Sequence, residues 1–218
     1  MKKPVGRYVN LYFNRSIMEK DSTRLKKNQN IQMARIGKAA SKLFNKKGYL
    51  ETSIADLASA VRMSKGGIFH YFPTKNEILY FILTNYMDLV LEGLEEDLKK
   101  FEGSFSRIQF IISRHLELYT NNMDEAKTLL HEAHSLPPKY LKAINEKEKK
   151  YFQIVAAELS DLLGNNVPKD RLTAITFSLF GICNWIYSWY NPKGSLTHHE
   201  LSEIIYNIFS KGVSSWKL

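Results

Sequence analysis

Apolar side chains recur along this chain at intervals of three and four residues, and no stretch alternates apolar and polar positions as a strand would. This pattern predicts an all-α fold. Long helices are predicted over the ranges 30–47, 75–100, 104–121, 124–135, 138–163, 169–190 and 197–214. Glycine, asparagine and proline separate them, and these residues commonly end helices.

The stretch between the first two long helices, Thr52 to Lys75, predicts two short helices joined by a tight turn. Three of its side chains are suited to begin helices as N-caps: Ser53, Ser64 and Thr74. Asp56 and Glu77 follow the first and third of these caps by three positions, which predicts reciprocal capping boxes. Two short helices with such a turn form a helix-turn-helix, whose second helix lies in the DNA major groove. We therefore predict an N-terminal three-helix helix-turn-helix head, followed by a larger helical body.

The second short helix has a composition that suits close approach to DNA. Gly66 and Gly67 remove side chains from its start, at a cost in helix propensity of about 1 kcal/mol each. The alternative is that these glycines only loosen a turn. The candidate DNA-binding residues are Ser53, Ser64, Lys65, Gly66, Gly67, Phe69, His70, Tyr71, Thr74 and Lys75. We expect His70 to read a base edge and Lys75 to contact a phosphate.

Residues 64–77, with the sequence SKGGIFHYFPTKNE, resemble the signature of the tetracycline repressor (TetR) family of transcription regulators. Residues 39–49 resemble the first helix of that family with its glycine stop, and residues 52–58 resemble its second helix. The resemblance implies a regulator that binds a palindromic operator in double-stranded DNA. It also implies a body that binds a ligand and forms a homodimer. The predicted domains are an N-terminal arm (1–29), a DNA-binding domain (30–75) and a ligand-binding and dimerisation domain (76–218).

Positive charge is concentrated at the N-terminal end. Residues 1–75 hold 16 lysines and arginines against 4 acidic residues, whereas residues 76–218 hold 15 against 18. A basic end on a slightly acidic body is typical of DNA binding through one end, and a solvated basic surface is the alternative. Arg24, Lys26 and Lys27 precede the first predicted helix as a candidate basic arm, for which a solvated tail is the alternative. We expect residues 1–17 to be an extension or the product of a misplaced start.

Several classes of protein are disfavoured. No apolar run reaches the roughly 18 residues that span a bilayer, and the N-terminus lacks the apolar core of a secretory signal. The single cysteine, Cys183, cannot form an internal disulfide, so a cytoplasmic location is expected. His131 and His134 have a spacing found in zinc sites, but the pair alone does not indicate one, and neither metal nor cofactor is expected. The absence of a phosphate-binding loop and of a nucleophile elbow argues against an enzyme.

The predicted helix at 169–190 is apolar nearly all round, so it must be covered on every side. One face can pack within the chain, and the same helix of a two-fold related copy is the simplest cover for the other. The last helix, 197–214, carries a further apolar stripe. The family resemblance implies a four-helix dimer interface built from these two ranges, and we expect Ile186 and Ile205 to lie in it.

Aromatic side chains are dense in the body, where they either fill the core or line a cavity for an apolar effector. Residues 184–194 and 132–140 resemble TetR members that sense acyl-coenzyme A thioesters, which implies an apolar slot for the acyl tail and cations for the phosphates. The candidate ligand-binding residues are Phe110, Tyr119, Lys139, Lys142, Phe152, Phe177, Phe180 and Trp185. The two lysines are the phosphate candidates, and a solvated charged face is the alternative for them.

The leading hypothesis is therefore a homodimeric transcriptional repressor that an acyl-coenzyme A thioester releases from DNA. One alternative is the same role with a different hydrophobic effector. A second is a nucleoid or division factor that needs no ligand and has a filled core. A third, an enzyme that acts on an acyl thioester, is disfavoured because no catalytic constellation is present.

Overall fold

The structure is a computed structural model that describes residues 22–214, with side chains described from residue 27 to residue 212. Every regular element in this range is helical, which confirms the predicted all-α fold. The α-helices are α1 (Ser22–Lys47), α2 (Ile54–Ala60), α3 (Lys65–Tyr71), α4 (Lys75–Leu91), α5 (Leu94–Leu98), α6 (Ser104–Asn121), α7 (Met123–Glu132), α8 (Pro138–Leu162), α9 (Lys169–Asn184) and α10 (His198–Ser214). Short 3₁₀ helices, Ala133–Ser135 and Trp185–Ser188, follow α7 and α9.

The described residues form two compact units. The first holds residues 22–89 and Asp124–Ile144, and the second holds Val90–Met123 and residues 145–214. The predicted head, 30–75, lies inside the first unit, which also contains most of α4 and of α7. The domain boundary at residue 75 stays a prediction, and most of the predicted arm, including residues 1–17, lies outside the described residues.

Helix α1 begins at Ser22 and not at Asn30. The prediction that Arg24, Lys26 and Lys27 precede the first helix was therefore wrong, because the backbone there is already helical. Residues 22–30 contain no glycine or proline and include several good helix formers. Their lack of an apolar face gave no periodic signal, but nothing in them stops a helix that is already packed further along.

The prediction of one helix from Lys75 to Lys100 was also wrong. Helix α4 ends at Leu91, Gly93 takes a left-handed conformation with φ of 65°, and α5 starts at Leu94. Buried Arg114 of α6 donates from Nη2 to the carbonyl oxygens of Val90 at 3.3 Å and Glu92 at 2.6 Å. These bonds satisfy carbonyls that the end of α4 leaves unpaired, so the break is a stable feature of the second unit.

Two further helix ends differ from the predictions. Helix α7 ends at Glu132 and not at residue 135, and α9 ends at Asn184 and not at residue 190; each continues as a 3₁₀ helix. Apolar spacing continues through both junctions, so it does not reveal this tightening of the last turns. The start of α10 follows the prediction, because Thr197 Oγ1 accepts from Glu200 N at 3.2 Å and Glu200 Oε2 accepts from Thr197 N at 2.8 Å.

Each unit has its own apolar core. In the first, the helices α1, α2 and α3 pack against one another; their buried residues include Ile36, Ala40, Phe44, Leu57, Ala58, Ile68 and Phe72. In the second, α10 packs along α6 and both contact α9; the buried residues include Ile108, Ile112, Leu116, Leu159, Leu179, Leu201 and Ile205. The first core fixes the position of α3, and the second fixes the aromatic side chains of α6, α8 and α9.

Candidate nucleic-acid interface and aromatic cluster

The start of α2 is fixed by the capping box that the sequence predicts. Ser53 Oγ accepts from Asp56 N at 3.1 Å, and Asp56 Oδ2 accepts from Ser53 N at 2.9 Å. Lys47 at the end of α1 donates to Asp56 Oδ1 at 2.9 Å. The bond from Lys47, followed by those from Ser53, holds the pKa of the Asp56 carboxyl well below its usual range. The Ser53 hydroxyl thus has a structural role, and its contact with DNA stays a prediction.

The turn between α2 and α3 is held by α1. Arg62 has a positive φ of 51°, and Met63 N donates to Ala58 O at 2.9 Å. Arg35 of α1 donates from Nη2 to Val61 O at 2.6 Å. Sequence reasoning missed Arg35, because nothing in the local pattern shows that its guanidinium reaches a carbonyl 26 residues away.

Helix α3 presents one buried side chain and a face of exposed ones. Ser64 Oγ caps it by accepting from Gly67 N at 3.0 Å, and Ile68 fills the core. The exposed positions are Lys65, Gly66, Phe69 and His70, while Tyr71 is half-buried with its ring edge against His70. The structure therefore brings most of the predicted DNA-binding side chains together on one short helix.

The two glycines of α3 differ in their surroundings. A Cβ atom on Gly67 would lie 3.3 Å from Met63 Cε and 3.4 Å from Ser64 Oγ, so a side chain would crowd the cap. A Cβ atom on Gly66 would meet only Ser64 Oγ at 3.8 Å. The protein itself therefore gives no steric reason for glycine at position 66, which favours close approach of an external surface there.

Lys75, predicted to contact a phosphate, is engaged within the first unit. Its Nζ donates to the carbonyl oxygens of Tyr49 at 2.7 Å, Thr52 at 2.9 Å and Leu50 at 3.1 Å. The ammonium group also lies 4.4 Å from the centre of the Tyr49 ring. An ammonium has only three donors, so this geometry favours a structural role, and the phosphate contact stays a prediction.

The start of α4 carries the second predicted capping box. Thr74 Oγ1 accepts from Glu77 N at 3.2 Å, and Glu77 Oε2 accepts from Thr74 N at 3.1 Å. Because Thr74 is exposed, its hydroxyl keeps a free side from which to reach a phosphate.

The second unit contains a cluster of rings around His115, which we call the aromatic cluster. Its members are His115 and Tyr119 of α6, Tyr151 and Phe152 of α8, and Phe177 and Phe180 of α9. Ring centres lie 5.3 Å apart for Tyr151 and Phe180, 5.0 Å for Phe152 and Phe177, and 6.1 Å for His115 and Phe180. Three helices thus contribute to one predominantly apolar site.

His115 has a defined tautomer. Its Nε2 lies 3.0 Å from Asn184 Oδ1, which can only accept, so Nε2 carries the proton. Burial lowers the pKa of His115 to about 4, although the bond to Asn184 opposes the shift. The ring is therefore neutral at pH 7, and Nδ1 accepts from the Tyr151 hydroxyl at 3.0 Å. Sequence reasoning missed this chain of hydrogen bonds, because its members lie 36 and 69 positions from His115.

The other predicted ligand-binding residues are spread more widely. Phe110 stacks on Phe101 with ring centres 4.7 Å apart. Phe177 and Trp185 are 61% and 59% exposed in the single chain, so they are not enclosed within the second unit. Lys139 and Lys142 are exposed at the start of α8, in the first unit. Ligand binding by these residues stays a prediction.

An open groove of about 720 Å³ lies beside α5, α6 and α8. Its charged lining residues are Glu95, Lys99, Arg107, Lys150, Glu158 and Asp161. Lys150 pairs with Glu95 at 3.0 Å, and Arg107 pairs with Glu158. These charges largely neutralise one another, so the groove has no strong preference for an anion.

Two further features bear on the kind of protein. Within residues 22–214, no three His, Cys, Asp or Glu side chains come together in a way that suits a metal ion. No helix in that same range is both long enough and apolar enough to cross a bilayer.

The sequence matches two family descriptions over separate ranges. Residues 36–80, which include the helix-turn-helix, match "Bacterial regulatory proteins, tetR family". Residues 104–213, half of the chain, match "Tetracyclin repressor-like, C-terminal domain". This chain belongs to the TetR family of transcriptional regulators. The predicted family and its DNA-binding regulatory role are thereby confirmed, whereas the dimer and the effector stay predictions.

Individual TetR-family proteins are also similar to this chain in structure or in sequence. A TetR-family regulator from Bordetella parapertussis superposes with a TM-score of 0.79 at 30% identity, covering 81% of this chain and 93% of that one. AibR, solved with isovaleryl coenzyme A and operator DNA, has a TM-score of 0.70 at 27% identity, covering 81% and 96%. The fatty acid metabolism regulator protein of Bacillus subtilis is 25% identical over 134 residues, which is 62% of this chain and 69% of that protein.

Proposed function

We propose that this TetR-family protein is a homodimeric repressor that an acyl-coenzyme A thioester releases from its operator. The observation that carries the proposal is the aromatic cluster, which surrounds a neutral histidine with rings from three helices. Apolar and aromatic lining with a few fixed polar groups is typical of small-molecule sites. The names of AibR's ligand and of the Bacillus relative support a coenzyme A thioester as the effector class.

The exposed face of α3 supplies the contacts to DNA. Lys65 is exposed at the start of the helix and is suited to a phosphate. His70 and Phe69 lie further along the exposed side, where imidazole can bond a base edge and a ring can contact a thymine methyl. Gly66 lets the backbone of the helix approach the wall of the groove.

The dimer is proposed from apolar side chains that the single chain leaves uncovered. Ile204 and Ile208 of α10 are exposed, as are Phe177 and Ile182 of α9. A patch of this kind marks an interaction surface in a soluble protein, and a second copy offers the same surface in a two-fold arrangement. Ile186 and Ile205, the expected interface residues, are instead 0% and 5% exposed within one chain. That expectation was wrong, because an apolar stripe does not show which of its sides faces the chain's own core.

Release of the operator requires that the effector prefer one conformation of the dimer. A ligand shifts an equilibrium only by the difference between its affinities for the two states. We propose that the thioester binds among the rings of the second unit and favours the state with low operator affinity.

The test is a mobility-shift assay with a duplex that the wild-type protein has selected from a random pool. Decanoyl-, benzoyl- and isovaleryl-coenzyme A are titrated, with coenzyme A and the free acids as controls. At least one thioester is expected to release the duplex at concentrations where coenzyme A and its acid do not. Phe180→Leu, at the centre of the cluster, should weaken this release more than Phe110→Leu, which alters a ring stacked on Phe101.

Other outcomes identify the alternatives. Release by a free acid as effective as by its thioester would point to a simple hydrophobic effector. A duplex that stays bound with every compound would favour the ligand-independent factor. Equal losses in the two leucine variants would place the ligand elsewhere than the aromatic cluster.

A further inference from the structure

One polar atom in the aromatic cluster lacks a partner. Tyr119 is 1% exposed, and its hydroxyl forms no hydrogen bond within the described part of the chain. Two other polar side chains of the cluster are paired, because Tyr151 donates to His115 and His115 donates to Asn184. A buried hydroxyl without a partner costs free energy, and such a group in a native structure calls for an explanation.

The ring that carries this hydroxyl packs beside other rings of the aromatic cluster. The ring of Tyr119 stacks beside His115 with centres 6.2 Å apart, and His115 is itself 6.0 Å from Tyr151 and 6.1 Å from Phe180. His115, Tyr151 and Phe180 each keep part of their surface uncovered, yet burial lowers the pKa of His115 to about 4. A ligand that enters at this partly uncovered edge of the cluster would reach the Tyr119 hydroxyl by displacing one of these rings.

The cluster favours an uncharged group. His115 is neutral at pH 7, and the guanidinium of the adjacent Arg114 bonds the carbonyl oxygens of Val90 and Glu92. A carboxylate among these rings would lose its hydration, and the charge of the nearby Arg114 is already matched by Asp97 at 4.0 Å. A carbonyl oxygen needs only one donor, which the Tyr119 hydroxyl supplies.

We propose that Tyr119 is the specificity residue of the effector site, and that its hydroxyl donates to the carbonyl oxygen of the bound acyl thioester. This proposal rests on the proposed function and names the group by which the effector is recognised. The chain from Tyr151 through His115 to Asn184 holds the histidine ring in place beside Tyr119. Recognition of the carbonyl, added to burial of the acyl tail, distinguishes a thioester from an alkyl chain of the same length.

The test compares two variants that each remove one hydroxyl, Tyr119→Phe and Tyr151→Phe. Affinities for decanoyl- and benzoyl-coenzyme A are measured by calorimetry, beside the thioethers S-decyl- and S-benzyl-coenzyme A, which lack the carbonyl. Wild type should bind the thioester about tenfold more tightly than the thioether, as one hydrogen bond allows. Tyr119→Phe should abolish that preference while leaving the affinity for the thioether unchanged.

Thermal unfolding without ligand is an independent test, because Tm should change in opposite directions in the two variants. Tyr119→Phe should raise Tm by about 2–4 °C, because it removes an unpaired buried hydroxyl. Tyr151→Phe should lower Tm, because its hydroxyl has a partner. A fall in Tm for Tyr119→Phe, or a thioester preference that survives in it, would overturn the proposal while leaving the proposed function intact. If wild type bound no thioester at all, the proposed function would fail, and this proposal with it.

Discussion

The two units of the molecule differ in the polar groups that they leave without a hydrogen-bond partner and in the apolar side chains that they leave exposed. In the first unit, capping boxes hold the starts of α2 and α4, Arg35 holds the turn, and Lys75 bonds carbonyls from the loop before α2. In the second unit, a buried hydroxyl has no partner within the described residues, and apolar side chains of α9 and α10 are exposed. The first unit thus fixes its helix starts and its turn with its own side chains, although the Thr84 hydroxyl is also buried there without a hydrogen-bond partner in the part of the chain that the structure describes. The second unit combines such a hydroxyl with an exposed apolar surface on two helices, as the proposed ligand site and dimer would require.

The largest expected effect is on dimer formation, and it comes from a substitution in the exposed apolar surface of the second unit. Ile208→Asp should raise the dissociation constant of the dimer about a hundredfold or more, because each copy would bury an unpaired charge. Ile208 is 64% exposed in the single chain, so the fold should survive. Sedimentation velocity measures the assembly, and circular dichroism checks the helices.

The matched control is Leu50→Asp, which makes the same kind of change at an apolar side chain that is 78% exposed in the first unit. It should remain dimeric. A wild-type protein that is monomeric at micromolar concentration, or an Ile208→Asp protein that dimerises like wild type, would show that the second unit needs no subunit.

The next largest effect tests the hydrogen bonds that Lys75 forms within the first unit. Lys75→Met should lower the free energy of unfolding by about 3 kcal/mol, because three carbonyl oxygens lose a charged donor. Lys65→Met removes the same charge from an exposed position and should change stability by less than about 0.5 kcal/mol. Urea titration measures both free energies of unfolding.

Affinity for unrelated duplexes should fall for Lys65→Met, as expected of a phosphate contact. If Lys75→Met unfolded like wild type but bound DNA weakly, Lys75 would be a phosphate contact as the sequence predicts.

The smallest expected effect comes from a substitution in α3 that should change stability and operator affinity in opposite directions. Gly66→Ala should stabilise the protein by up to about 1 kcal/mol through helix propensity, because the added Cβ meets no close contact. The same methyl group should weaken operator binding if α3 approaches a groove wall there. Gly67→Ala is the contrasting variant, since its Cβ would crowd Met63 and Ser64 and offset the gain. Unchanged operator affinity for Gly66→Ala would mean that the glycine has no role in DNA approach.

The sequence predicts best those features that depend on residues close together in the chain. The capping boxes predicted at Ser53 and Thr74 each join residues three positions apart, and both are present. The glycine stop after α1 is also present, with Gly48 at a φ of 88°. Such signals are local, because a side chain reaches its own helix end without help from the rest of the fold.

Features that depend on residues far apart in the chain could not be predicted from local sequence patterns. The spacing of leucines continues through Gly93, and only the bonds from Arg114 show that a break there is stable. The aromatic density of the body is visible in the sequence, but the hydrogen bonds of His115 join residues from three helices. The apolar stripe of α10 likewise includes both Ile205, which is buried, and Ile208, which is exposed. A periodic pattern shows that a helix has an apolar face but does not show what covers it.

All the tryptophans lie near the C-terminal end of the sequence, so tryptophan fluorescence reports on that part of the molecule. The sequence holds three of them, at positions 185, 189 and 216, and the unit that carries α3 has none. Trp185 and Trp189 are more than half exposed, so water quenches and red-shifts their emission until another surface covers them. Light absorbed at 295 nm therefore excites only the C-terminal part of the chain. Changes at α3 should therefore leave this emission unaltered, whereas the proposed assembly through α9 and α10 should change it.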